Sequence, residues 1–256
     1  LNTYMTQLDA PDVMNEENLA HTRPCIIKDL GRQAYPEVLA LQHGLVRSKH
    51  EGELKPEVLL LVEHDPVFTL GRQGRTDSLL VSESFLTTQG IQVVHIERGG
   101  DITYHGPGQI VAYLIMDLRK AGLRVTSFVT KMEEVMLCTA ADAQVQAGRD
   151  KQNRGVWVAQ RKLGSIGIAV RHGITFHGLA LNVNTDLTPF SYIHPCGLTG
   201  TSMTSLAMET GKAHDLEAVK DSLARHMLDI FCLTTRKQED IPNNLMGDCY
   251  APSQKL

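Results

Sequence analysis

The chain has 256 residues, 42% of them hydrophobic, and no Pro/Ser-rich linker divides it, so one domain with a substantial core is expected. A formal net charge of −4, with acidic and basic residues interspersed, argues against a nucleic-acid binder working through a strongly basic surface. No apolar run is long enough to span a bilayer, and the polar N-terminus lacks the apolar core of a signal peptide.

The five cysteines (Cys25, Cys138, Cys196, Cys232, Cys249) are odd in number and widely spaced, with no C-x-x-C and no histidines at zinc-finger spacing. Neither a disulfide framework nor a metal site is expected, and the thiols read as reduced, in a cytoplasmic protein. Residues 1–22 are polar, with little periodicity, and read as a loose extension ahead of a domain spanning 23–236. Cys25 to Ile27 reads as a short edge strand, and Val38, Leu41 and Leu45 form a helical stripe within Tyr35 to Arg47, where Pro36 suits the first turn.

Val58 to Val62 is a buried strand, and Val67 to Leu70 leads into the loop Gly71-Arg72-Gln73-Gly74-Arg75. That loop lacks the spacing of a nucleotide-binding motif, so Arg72 and Arg75 are solvated charges or lie near a phosphate of the substrate. Ser82 suits the N-cap of a short helix ending at Gly90, and Ile91 to Ile96 then forms a strand that delivers RGGDITYHGPGQ (Arg98 to Gln109). Gln109 to Leu118 reads as a central strand, and Val125 to Thr139 as a helix whose Met and Phe stripe packs into the core.

A polar connection (Gly148 to Arg154) and a strand (Gly155 to Gln160) turn at Arg161 into KLGSIGIAVRHGITFHGLALNV, Lys162 to Val183. This stretch is too glycine-rich for a helix and too apolar for an exposed loop, and it reads as two strands turning near Arg171 to Gly173. Glycine inside a strand costs entropy and packing, so Gly164, Gly167 and Gly178 imply that a ligand or a second backbone approaches closely. Asp215 caps a last helix whose face is Leu216, Val219, Leu223, Met227 and Ile230, and residues 237–256 read as a poorly ordered tail. The order of elements favours an α+β domain in which helices cover one face of a mixed, largely antiparallel sheet.

Cys196 lies between Pro195 and Gly197, in a loop that leaves a thiol available to react. A thiolate is the nucleophile, and a nearby cation such as Lys162 lowers a thiol's pKa. The alternatives are a small buried cysteine and a solvated strand-end lysine.

Three blocks, Arg98 to Gln109, Lys162 to Val183 and His194 to Leu198 (HPCGL), together resemble the lipoyl(octanoyl) transferases, in the family's order. The resemblance implies a single domain with the biotin and lipoate protein ligase type of sheet. It also implies transfer of an octanoyl group from octanoyl-acyl carrier protein to a lysine of lipoyl domains. The acceptors would be those of 2-oxoacid dehydrogenase complexes and the glycine cleavage H protein, with no cofactor and no ATP. Cys196 would carry the acyl group as a thioester and Lys162 would lower its pKa and later take the amine's proton. Backbone N–H groups near Cys196 or in the glycine-rich blocks would meet the oxyanion. The substrate contacts carried over by motif are Arg98, Gly99, Gly100, Asp101, Ile102, Thr103, Tyr104 and His105, then Ser165, Ile166 and Gly167, and Gly178, Leu179 and Ala180.

Overall fold

A computed structural model describes residues 22–74, 78–150, 153–193 and 202–236. The expected extension and tail, and Cys196 itself, lie outside them. The first strand, β1 (Arg23–Gln33), leads to helix α1 (Tyr35–Glu51), and β2 (Glu57–His64) and β3 (Val67–Leu70) follow. Pro36 fills the first turn of α1, where its missing N–H is no loss, and Gly52 ends the helix in the left-handed conformation. Helix α2 (Glu83–Thr88) is capped by the Ser82 hydroxyl, which accepts from the Phe85 amide. It precedes β4 (Gln92–His95), β5 (Ile102–His105) and β6 (Gln109–Ile115).

Helix α3 (Val125–Asp142) is followed by β7 (Gly148–Arg149), β8 (Val156–Val158), β9 (Arg161–Arg171) and β10 (Ile174–Asn182). The chain closes with β11 (Ser202–Met203), α4 (Leu206–Thr210), α5 (Leu216–Phe231) and β12 (Leu233–Arg236). Asp215 caps α5 by accepting from the Glu217 and Ala218 amides, as its place before an amphipathic run predicts.

The main sheet runs β12-β1-β2-β6-β10-β9-β8-β7. Its β12/β1 and β1/β2 pairs are parallel and the steps from β2 to β7 are antiparallel. Strand β1 is therefore not the expected edge, because β12 pairs along its outer side. A smaller sheet, β4-β3-β5, stands apart from the main one.

Period-2 alternation splits β2, β6 and β10 between two cores, because both faces of these strands are covered. Leu59, Leu61, Ile110, Ala112, Leu114, Leu179 and Leu181 face a cluster with residues of α3 and α5, such as Phe128, Met132, Leu223 and Met227. Val58, Leu60, Val62, Val111, Tyr113, Ile115 and Ala180 face Val38 and Leu45 of α1. Helices thus lie on both faces rather than the one expected. Among the described residues, no helix is long and apolar enough to cross a membrane.

Candidate active site

The two glycine-rich blocks meet where β9 and β10 pass the loop before β5. Gly99 donates its amide to the Ile168 carbonyl at 3.0 Å, which ties the first block to the second. A Cβ on Gly167 would come within 2.7 Å of the Arg98 Cδ, so the missing side chain makes room for the arginine to lie across the strand. Arg98 is buried, and its guanidinium donates to the Thr69 carbonyl at 2.6 Å and to the Thr69 hydroxyl.

A cleft opens along this junction, enclosing about 500 Å³ including its mouth. Of the residues expected from sequence, its wall contains Arg98, Gly99, Gly100, Ile102, Thr103 and His105, then Lys162, Ser165, Ile166 and Gly167, and Gly178, Leu179 and Ala180. Two expected residues are not part of this wall. Asp101 accepts from the Ser78 hydroxyl at 3.0 and 3.1 Å, and its carbonyl receives the Gly71 amide at 2.8 Å, so it fastens a loop. Tyr104 packs its ring against Phe68 and Phe190 in the cluster beneath the small sheet, on the face of β5 opposite His105.

At Gly178 the close neighbour is a second backbone, one of the two alternatives that a strand glycine offers. A Cβ there would collide with the Ala112 carbonyl oxygen of β6, so a backbone, and not a ligand alone, sets the need for glycine.

Lys162 is buried at 4% exposure, not a solvated strand end. Its ammonium stands 5.2 Å from the centre of the Trp157 ring, within range for a cation–π contact. Where β10 stops pairing at Gly164, β11 takes its place along β9, with Ser202 opposite Arg161 and Met203 opposite Lys162. The Thr204 amide donates to the Lys162 carbonyl at 2.9 Å, and a two-pronged Arg161–Glu209 pair at 2.9 Å secures the segment beyond. On the other flank, Ile193 bridges Leu79 and is buried.

Sequence reasoning left out Tyr35, His64 and Tyr113, which with His177 make a polar wall of α1, β2, β6 and β10. Tyr35, Tyr113 and His177 line the cleft, with His64 behind them. The Gln33 carbonyl can only accept, so His64 donates to it through Nδ1 at 3.1 Å, and His64 Nε2 receives the Tyr113 hydroxyl at 2.8 Å. His177 has φ +57°, a conformation a non-glycine residue seldom adopts. This turn breaks the strand's alternation and brings its ring beside Phe176 and toward α1, where Nδ1 lies 3.3 Å from the Tyr35 hydroxyl and the Gln42 Oε1 accepts its amide at 2.7 Å. The signal available in sequence was His64 after an apolar strand, inside Glu63-His64-Asp65-Pro66. Tyr35 and Tyr113 gave none, being ordinary members of apolar stripes.

Burial governs the charge of this wall. Loss of solvent pushes His64 down to about 4 and His105 and His177 down to about 3, so all three are neutral at pH 7. The same cause raises the hydroxyls of Tyr35 and Tyr113. No carboxylate lines the cleft among the described residues. Glu97 stands outside it, 3.8 Å from His177 Nε2 and 2.9 Å from His43 Nε2. Among the described residues no group of three or more His, Cys, Asp or Glu side chains is placed to hold a metal ion.

Residues 34–228 match the family model of the lipoyl protein ligase A/B catalytic domain. The chain belongs to that family. Within it, this chain sides with the octanoyltransferases, which are acyltransferases. It is 50% identical over 205 residues to the octanoyltransferase of Desulfotalea psychrophila, covering 79% of this chain and 92% of that one. The octanoyltransferase of Geobacter sulfurreducens is 39% identical over 229 residues, 89% of this chain and 94% of the relative.

The fold is shared more widely. A lipoate-protein ligase A bound with ATP superposes with TM-score 0.69 at 17% identity, covering 88% of this chain and 92% of the other. The biotin protein ligase of Aquifex aeolicus, in complex with biotin and ATP, gives 0.51 at 12% identity over 80% of this chain and 70% of the other.

Proposed function

We propose that this octanoyltransferase-family chain takes an octanoyl group from octanoyl-acyl carrier protein and delivers it to a lysine of a lipoyl domain, through a thioester on Cys196. The observation that carries this reading is the buried Lys162 in the cleft wall, beside the strand that follows the Cys196 segment. In the first step the Cys196 thiolate attacks the carrier's thioester, a C–S bond forms, and the carrier's sulfur leaves and takes up a proton. In the second, the lysine amine attacks the acyl-enzyme, a C–N bond forms, the bond to Cys196 breaks, and the amine's surplus proton passes to the departing sulfur. Exchange between thioesters is nearly isoenergetic and amide formation runs downhill, so no ATP enters.

Within this mechanism Lys162 stabilises the thiolate through its charge and shuttles the amine's proton. Ile102, Val111, Ile166, Leu179 and Ala180 give the cleft the apolar surface an acyl chain needs. Burying the hydrocarbon part of an octanoyl chain there, six methylenes and a methyl, is worth about 6 kcal/mol at ~0.8 kcal/mol per carbon. The acceptors on this reading are the lipoyl domains of 2-oxoacid dehydrogenase complexes and the glycine cleavage H protein.

The test is intact mass after incubation with octanoyl carrier protein and no ATP. One octanoyl group on Cys196, removable by hydroxylamine, is expected. Activity only with ATP and free octanoate would replace this reading by that of an adenylate-forming ligase. The lysine's part is read from the pH profile of Cys196 alkylation, which should move upward in Lys162→Ala; superimposable profiles would remove Lys162 as the tuning group.

A further inference from the structure

A single directed chain of hydrogen bonds fixes which nitrogen of His105 carries the proton. It starts at the backbone of Lys162, whose carbonyl accepts from the Thr204 amide. The Thr204 carbonyl can only accept, so the group facing it at 3.0 Å is the Asn182 Nδ2, and Asn182 Oδ1 points the other way. Gln109 Nε2 donates to that oxygen at 2.9 Å and to the Tyr104 carbonyl at 3.2 Å, which settles the orientation of the second amide. Gln109 Oε1 is left to accept, and the group 2.7 Å from it is His105 Nδ1. Nδ1 therefore bears the hydrogen, and Nε2 of the neutral ring is a bare lone pair.

Every link is buried, so reversing one would leave two like groups facing each other without solvent, at a cost of roughly 1–3 kcal/mol per unsatisfied group. The ring itself is held by the Tyr35 ring stacked parallel to it at 5.9 Å. Burial keeps it neutral, its pKa lowered to about 3. Coulombic contributions from His64, Arg98 and His177 act in the same direction, against the bond from Gln109.

We propose that His105 is a hydrogen-bond acceptor in the cleft, its Nε2 receiving an N–H of the attacking amine, and that Gln109 and Asn182 are positioning residues that enforce this. The role deepens the acyl-transfer reading and rests on it. An attacking amine must aim its lone pair at the carbonyl carbon, which turns its N–H bonds away and makes them more acidic as the C–N bond forms. With no carboxylate in the wall, the neutral imidazoles of His105 and His177 are the side-chain acceptors that the described cleft offers besides hydroxyls and Lys162. Because Nε2 has no hydrogen to give, His105 does not serve the oxyanion.

Nitrogen NMR of the full-length protein labelled at histidine tests the assignment directly. His105 is expected to show a pyrrole-type Nδ1 and a pyridine-type Nε2 from pH 5 to 8, the reverse of the tautomer free histidine prefers. N-acetyl-lysine methylamide should shift the Nε2 resonance, and Gln109→Leu should abolish the tautomer preference. In single-turnover kinetics, His105→Ala should lower the ratio of aminolysis to acyl-enzyme formation on the order of 10- to 100-fold, the worth of one hydrogen bond to a group developing charge.

An Nε2–H tautomer in the wild type, or equal losses in both steps, overturns the proposal. Should the wild type form no acyl-enzyme at all, the acyl-transfer reading fails. The tautomer and the amine-induced shift then decide whether His105 is an acceptor.

Discussion

The two faces of the central strands are made of the same three segments and do different work. Toward α3 and α5, β6 presents Ile110, Ala112 and Leu114, and β10 presents Leu179 and Leu181, all in one apolar cluster. Toward α1, the same strands carry Val111, Tyr113 and Ile115, and Phe176, Gly178 and Ala180, with His177 turned out of alternation among them. The first face is mostly packing, with Leu179 also reaching the cleft wall. The second is half core and half cleft, and most of its polar groups are held by partners of opposite role, as in the run from the Gln33 carbonyl through His64 to Tyr113, while His177 Nε2 and Gln42 Nε2 are buried without a hydrogen bond. A sheet covered on both sides can thus assign stability to one face and chemistry to the other without lengthening the chain.

Breaking the shared backbone between the faces should have the largest effect. Gly178→Val drives a side chain into the Ala112 carbonyl, and the variant is expected to be unfolded by circular dichroism, not merely closed to substrate. A folded, inactive Gly178→Val would instead make this glycine a gatekeeper of the cleft.

On the packing face, Leu114→Ala removes a fully buried side chain and should cost about 2–5 kcal/mol in urea unfolding at unchanged m-value. Acyl-enzyme formation should persist in the fraction that remains folded. On the mixed face the sensitivity is to pH. Histidines whose folded pKa is lowered resist protonation in the native state while the unfolded chain binds protons. Stability should therefore be full above about 6.5 and fall as the pH drops toward the folded values. His64 alone, lowered to about 4, gives up about 3 kcal/mol across that window. Urea midpoints at pH 7.5 and 5 measure it, and equal midpoints would mean that these rings are solvated. The smallest effect is expected for Tyr113→Phe, which strips the donor from His64 Nε2 and should cost about 1–3 kcal/mol with little change of shape.

The packing face was legible from sequence because hydrophobic period alone encodes it. The strands at 58–62, 109–118 and 163–183 and the helices at 125 and 216 all followed from runs and stripes. Most of the residues that line the cleft were named through the three-block resemblance, since strand glycines by themselves announce only a close approach. The tyrosines of the polar wall were not. Tyr35 and Tyr113 occupy positions a core tyrosine would also occupy, and their meaning comes from contacts to His177 and His64 that span 142 and 49 residues of sequence. Tyr104 is absent from the cleft wall for a simpler reason, since on β5 it faces away from Thr103 and His105, and Asp101, just ahead of that strand, is held by Ser78 instead. Helices on both faces and the covering of β1 by β12 were missed because pairing across nearly the whole chain has no local signature.

The parallel pairing of β12 with β1 sets Arg23 beside Leu233 and Ile26 beside Arg236, so the first and last of the described strands lie side by side. This seam is four strand spacings from β9, roughly 19 Å at ~4.8 Å per strand. Because the two strands are parallel, joining position 236 back to position 23 takes a crossover linker of roughly a dozen residues or more. With such a linker the molecule is a candidate for circular permutation. Cargo fused at this seam should leave the cleft open to two visiting proteins in turn.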